Sequence, residues 1–216
     1  SVLLETGAER GASSFRLFGY ADRVDVLALN DSQRDRLIEQ GVLGEASFDT
    51  PFPLDGTTRT AQRLVVIRDL KTVPGPAPKY RGLRHMRCLF EDLQLALYAR
   101  AWEVLHPNDR VVGVGASEIG EVSTHYVELD SDLKPLDASL SIGEITRVFE
   151  KNFPAQTADG EPMTPFRRWM AERLLVAQRA VDTAAAGVVN PTPGSHCKYC
   201  SLAHSCAVST YDGGDF

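Results

Sequence analysis

The chain has 216 residues, 43% of them hydrophobic and 24% charged, with a formal net charge of −6. That length can bury one sizeable core, and no apolar run approaches the ~20 residues a membrane helix needs, so one soluble, cytoplasmic domain with a small appendage and no membrane partner is expected. The acidic balance excludes general attraction of the whole surface to phosphate and leaves only local basic patches for that purpose.

Ser1 opens inside an apolar phrase, Val2-Leu3-Leu4, without an initiator Met, which suggests missing upstream sequence. Residues 15–29 (FRLFGYADRVDVLAL) and 61–72 (AQRLVVIRDLKT) are rich in β-branched and aromatic residues and predict two core strands. The intervening 30–60 segment, with Asp, Ser, Gly and Pro and a short helical pattern at 33–40, predicts a surface insertion. Pro74, Gly75, Pro76 and Pro78 then break regular structure before an amphipathic helix over 83–105. Two strands are expected over 110–118 and 121–129, joined at Ile119 and Gly120, then a helix over 142–152 and a long one over 165–186. Asn190, Pro191, Pro193 and Gly194 lead into a cysteine cluster, which divides the chain into a core of 1–189 and a tail of 190–216.

Residues two apart on a strand face the same way, so Asp69 and Lys71 in Arg68-Asp69-Leu70-Lys71-Thr72 project together from the end of an apolar ladder. Pairing of the two strands brings the Asp22 carboxylate of Gly19-Tyr20-Ala21-Asp22-Arg23-Val24-Asp25 beside Asp69. Two close carboxylates repel unless a cation lies between them, and oxygen ligands of this kind suit magnesium or manganese. The alternative is plain: Asp69 with Lys71, and Asp22 with Arg23, are surface ion pairs at strand ends. Asp25, three positions from Asp22, belongs to the opposite strand face. Gln94 and Tyr98, four apart, share one helix face, as a core tyrosine with a boundary glutamine or as lining of a site.

The order Gly-x-x-Asp-Arg-Val-Asp, Asp-Leu-Lys-Thr, Gln94-Leu95-x-x-Tyr98 resembles the RecB/AddB branch of the PD-(D/E)XK nucleases across nearly the whole chain. The resemblance implies a three-layer α/β, restriction-endonuclease-like core with a mixed central sheet flanked by helices. It implies metal binding by Asp22, Asp69 and the Leu70 carbonyl, catalytic assistance by Lys71, and Gln94 and Tyr98 lining the site. It further implies a metal-dependent deoxyribonuclease, of exonuclease type, coupled to a helicase domain or subunit in DNA repair or recombination. The branch carries an upstream helical His and an acidic residue before the Gly-x-x-Asp strand. The first histidine here is His85, and only Glu5 or Glu9 offers the acid, so the N-terminal helix of the core is expected upstream of Ser1.

Cys197, Cys200 and Cys206 fall within ten residues, a grouping that reads as metal ligation and not as a disulfide frame. Thiolates suit an iron-sulfur cluster, whereas Cys197, Cys200, His204 and Cys206 make a rival zinc set. Pro191-x-Pro193 with this spacing resembles the C-terminal iron-sulfur segment of AddB-like nucleases. That implies a [4Fe-4S] cluster whose fourth cysteine lies upstream of this chain. Cys88 reads as a small buried hydrophobe.

Lys79, Arg81, Arg84, His85 and Arg87 form a dense basic stretch between the Asp-x-Lys strand and Gln94, suited to DNA phosphates. Arg167, Arg168 and Arg173 read as a solvated helix face. No phosphate-binding loop of a motor is present. Two rival readings remain: a nuclease-fold DNA-binding or scaffolding module without catalysis, and a small metal-binding interaction domain.

Overall fold

A computed structural model of the chain describes residues 2–5, 14–41, 44–50, 59–72, 91–121, 123–130, 144–146, 148–153, 156–158, 161–188, 197, 201 and 206. Two compact units result, Ser1–Gln178 and Arg179–Phe216. The first holds a five-stranded mixed sheet with helices on both faces.

Its central strand is β4 (Arg63–Thr72). The run Leu64-Val65-Val66-Ile67 is buried on both sides, which suits a strand with neighbours and layers all round and explains why it reads as continuously apolar. Antiparallel to it lies β3 (Arg23–Ala28), the sheet edge, and parallel to it lies β5 (Asp109–Ile119). β6 (Thr124–Leu129) and β7 (Glu144–Thr146) complete the order β3-β4-β5-β6-β7. The β4–β5 register steps from Val65↔Val111 to Val66↔Gly113, so Val112 is an extra residue and side-chain parity changes there. Gly115 admits close approach of β6: a Cβ there would stand 2.6 Å from the Tyr126 carbonyl oxygen.

Odd-numbered β4 residues Val65 and Ile67 face a core built with Leu95, Ala96 and Ala99 of α2 (Gln94–Leu105), Phe149 of α3 (Val148–Asn152), and Phe166, Trp169 and Met170 of α4 (Pro165–Ala185). Phe149 stacks on Trp169 with ring centroids 4.4 Å apart. Leu64 and Val66 face a smaller core with Phe48, Leu37 and Ile38, the last two from α1 (Asp31–Glu39). Asn30 caps α1 by accepting from the Gln33 N–H at 2.8 Å, while the Gln33 side chain accepts from the Asn30 N–H.

Several expectations are corrected. The expected strand over 15–29 is two strands: β2 (Ser14–Leu17) pairs with β1 (Val2–Glu5), and only β3 enters the main sheet. The expected helix over 142–152 begins as β7, and α3 starts only at Val148. Glu128 on β6 accepts from the Val148 N–H at 2.6 Å and the Phe149 N–H at 3.3 Å, capping a helix start that has no partner of its own. A small hairpin, β8 (Gln156–Ala158) with β9 (Glu161–Met163), precedes α4. Within the expected helix over 83–105, the described helical run is α2, and 83–90 lie outside the described residues.

Arg167 does not belong to a solvated face. It is 6% exposed, donates to Glu103 at 2.8 Å and to the Val111 carbonyl at 2.6 Å, and lies 3.5 Å from Asp130. Asp130 also accepts from Arg110 at 3.2 Å. Burial pushes the Glu103 carboxyl up, against the downward pull of Arg167. Arg168 does lie on the partly exposed side, paired with Glu172 at 2.8 Å.

In the second unit, the end of α4 closes on Gly187, whose φ of 71° suits glycine; its N–H reaches Ala184 and the Val188 N–H reaches Thr183, both at 3.0 Å. No described helix is long and apolar enough to cross a membrane.

Candidate active site

Asp69 and Lys71 leave β4 on the same face as Val65 and Ile67, beyond the apolar part of the strand, so the core fixes the backbone that aims them. Lys71 Nζ and Asp69 Oδ2 are 2.5 Å apart. Asp22 stands immediately before β3, not within a strand, and reaches across the sheet edge: its Oδ2 accepts from the Leu70 N–H at 2.9 Å. The Asp22 carboxylate is near enough to Asp69 to act on its charge. Burial raises the Asp69 carboxyl above the ordinary carboxylate range; Lys71 opposes that rise and Asp22 adds to it. The Asp69 carboxylate in turn raises the Lys71 ammonium, with smaller contributions from Asp92 and Asp22.

Tyr98 projects from α2 against the loop before Asp22. A Cβ on Gly19 would stand 3.0 Å from the Tyr98 hydroxyl oxygen and 3.1 Å from its ring, so the glycine makes room for the tyrosine. Gln94 lies one turn earlier, with its amide nitrogen 3.5 Å from the Tyr98 hydroxyl. Thus Asp22, Asp69, Leu70 and Lys71 come together at one sheet end, and Gln94 and Tyr98 share the helix face that Gly19 packs against.

Asp25 faces away, bonded to Arg68 at 2.5 Å and to Arg23 at 2.7 Å. Arg23 therefore has Asp25 as its ion-pair partner, not Asp22. Sequence reasoning missed Asp92, which accepts from the Gln94 N–H at 3.1 Å while its charge acts on Lys71. The available signal was an acidic residue just before a helix. It also missed Glu118, buried and opposite Lys71 in the β4–β5 register, where it accepts from Thr124 at 3.3 Å.

Two carboxylates fit some cations better than others. Among the described residues no group of three or more His, Cys, Asp or Glu could hold a metal ion. Magnesium or manganese, held by one or two carboxylates with water and phosphate oxygens completing the shell, does fit Asp22 and Asp69.

Residues 54–207 match the family model of the PD-(D/E)XK nuclease superfamily, more than half of the chain. The chain belongs to that superfamily. Its members are generally metal-dependent nucleases that use magnesium or manganese, and the mixed sheet flanked by helices is the superfamily's fold. The matched span includes Asp69, Lys71, Gln94, Tyr98 and the three clustered cysteines; Asp22 precedes it. No curated protein and no solved structure matches this PD-(D/E)XK chain.

The proposed phosphate contacts Lys79, Arg81, Arg84, His85 and Arg87 lie outside the described residues, as do Cys88, Cys200 and His204. Cys197 and Cys206 are described, and both are partly buried.

Proposed function

We propose that this PD-(D/E)XK chain is a divalent-metal-dependent deoxyribonuclease of the RecB/AddB type, acting as an exonuclease with a helicase partner in DNA repair or recombination. The observation that carries the reading is the convergence of Asp22, Asp69 and Lys71 at one sheet end, in a chain whose family is generally nucleolytic. The order of Gly-x-x-Asp, Asp-x-Lys and Gln-x-x-x-Tyr supports the subtype.

Asp22, Asp69 and the Leu70 carbonyl are the ligands proposed for magnesium or manganese. Such a cation, when bound, lowers the pKa of water and offsets phosphate charge. The residues themselves supply the rest. Burial of Asp69 places its carboxylate where unrelieved negative charge is costly, so it favours a cationic partner. Lys71, held charged by its acidic neighbours, is suited to orient a nucleophile and to stabilise negative charge growing on the phosphate oxygens. Gln94 and Tyr98 line the site from α2. Lys79, Arg81, Arg84 and Arg87, which fall between Lys71 and Gln94 in sequence, are proposed to hold strand phosphates without reading bases.

For the tail, we propose that Cys197, Cys200 and Cys206 ligate a [4Fe-4S] cluster, with zinc as the rival metal. Iron and zinc content of anaerobically purified protein separates the two.

The deciding experiment is manganese-dependent digestion of end-labelled single- and double-stranded DNA, with Asp69→Ala run in parallel. Cleavage lost in the variant is the expected result. Absence of cleavage by both proteins, with DNA binding retained, would replace the nuclease reading by that of a catalytically silent DNA-binding module.

A further inference from the structure

Phe18 and Tyr20 are 73% and 78% exposed, and they are the only aromatic side chains among the large exposed hydrophobics of the described residues. The others, such as Val26 and Leu105, are aliphatic. A single exposed apolar side chain is ordinary on a protein surface, but two aromatic rings side by side in water contribute nothing to the core and leave their faces free. Their ring centroids are 5.7 Å apart at an interplanar angle of 80°, so the edge of one ring meets a face of the other and the remaining ring faces are left for a ligand.

Their position is what gives the pair a meaning. Gly19, between them, packs against Tyr98 of α2, and Asp22, two residues after Tyr20, is tied to the Leu70 N–H. Two residues of chain span at most about 7 Å, so Tyr20 cannot lie far from Asp22. The loop is pinned at Gly19 to α2 and at Asp22 to the end of the sheet that carries Asp69 and Lys71, while the two exposed rings lie between and beside those anchors.

We propose that Phe18 and Tyr20 form a stacking subsite for unpaired nucleobases, which seats a strand so that its phosphate lies at Asp22 and Asp69. This rests on the nuclease reading above for the identity of the ligand. The occupant is an unpaired base because a π-face is offered there with no charged partner among the described residues, and every base presents a matching π-face regardless of sequence. In a duplex the base faces are already stacked on one another, so the subsite discriminates in favour of strand ends, gaps and single strands.

The test uses fluorescence anisotropy in EDTA with three labelled probes: a short oligothymidylate, a fully abasic strand of equal length, and a blunt duplex. Phe18→Ala/Tyr20→Ala is expected to lose at least ~tenfold in affinity for the oligothymidylate. Its affinities for the abasic strand and the duplex should match those of the wild type, which general damage to the fold would not allow. Tyr20→Trp, which keeps an aromatic face, should retain binding, and Tyr20→Leu should not. Equal affinity of the double variant and the wild type for oligothymidylate would overturn the subsite, as would failure of the wild type to prefer oligothymidylate over the abasic strand. Manganese-dependent cleavage by the wild type is measured separately against Lys71→Ala. Absence of base-dependent binding by the wild type with its cleavage intact removes the subsite alone; absence of cleavage by the wild type with base-dependent binding intact removes the nuclease reading and leaves the subsite standing.

Discussion

Lys71→Met separates a catalytic lysine from a merely structural one, because the two roles predict opposite proportions of damage. Methionine keeps the unbranched stem and removes the ammonium. The lost contact is the ion pair to Asp69, but the Lys71 side chain is 41% exposed, so water already screens much of it. Pairs of that exposure contribute about 0.2–1 kcal/mol, and urea unfolding should show a loss of no more than ~1 kcal/mol near neutral pH. If Lys71 stabilises charge that develops during cleavage, its removal should lower kcat by about 10²–10³. The pH dependence adds a second check. Asp69 has a folded-state pKa raised above its ordinary value, so its contribution to stability is full below the unfolded value and is lost as pH rises through the folded one. Removing Lys71 removes the main influence holding Asp69 down, which moves the folded value further up. The stability gap between variant and wild type should therefore close in acid and widen as pH rises from the ordinary carboxylate range. A variant that keeps most of its kcat, or one that unfolds several kcal/mol more easily, would refute the reasoning.

Three further substitutions probe neighbouring parts of the argument. Gly19→Val should drive a side chain into Tyr98, costing about 1–3 kcal/mol by overpacking and reducing cleavage; unchanged melting and unchanged activity would remove that contact from the account. Asp25→Ala should cost about 1–3 kcal/mol, since the Arg68 guanidinium it accepts from is buried, yet leave cleavage unchanged because Asp25 faces away from Asp69. A dead enzyme there would mean that the wrong acid of the Gly-x-x-Asp-Arg-Val-Asp motif has been assigned. Arg167→Met should cost about 3–5 kcal/mol at neutral pH by stripping buried Glu103 of its cationic hydrogen-bond donor and leaving Asp130 to Arg110. Glu103, freed of the pull of Arg167, should then take up a proton more readily, so part of that loss should be recovered on acidification; urea midpoints at several pH values measure it, and a loss that grows in acid would contradict the assignment.

What could be read in the sequence was whatever local chemistry determines. The apolar run before Asp69 announced a buried strand, and two-residue spacing put Asp69 and Lys71 on one face because the pleat leaves no other choice. Asp25 is separated from Asp22 as expected, but by its pairing with Arg68 and Arg23 and not by strand parity, since Asp22 stands before β3. The stretch 15–29 misled because its apolar residues continue past Leu17 through Phe18 and Tyr20, and nothing local marks that these two rings lie outside any strand. The start of α3 was illegible for another reason: its cap is Glu128, twenty residues earlier in the chain and brought there by sheet pairing. Arg167 looked like a solvated residue because its partners, Glu103 and Asp130, are sixty-four and thirty-seven positions away in sequence. Long-range polar partners of this kind leave no periodic trace.

The helix α2 behaves as a lever. At one end it presents Gln94 and Tyr98; at the other, Trp102 donates to Asp109 at 2.8 Å, and Glu103 is clamped by Arg167 and the Val111 N–H. About 13 Å of helix separates Gln94 from Glu103, so a small tilt at the clamp becomes a larger displacement of the Tyr98 end. The buried charges at the far end act as a fulcrum, and any shift at that fulcrum would be felt as misalignment of Tyr98 against Gly19.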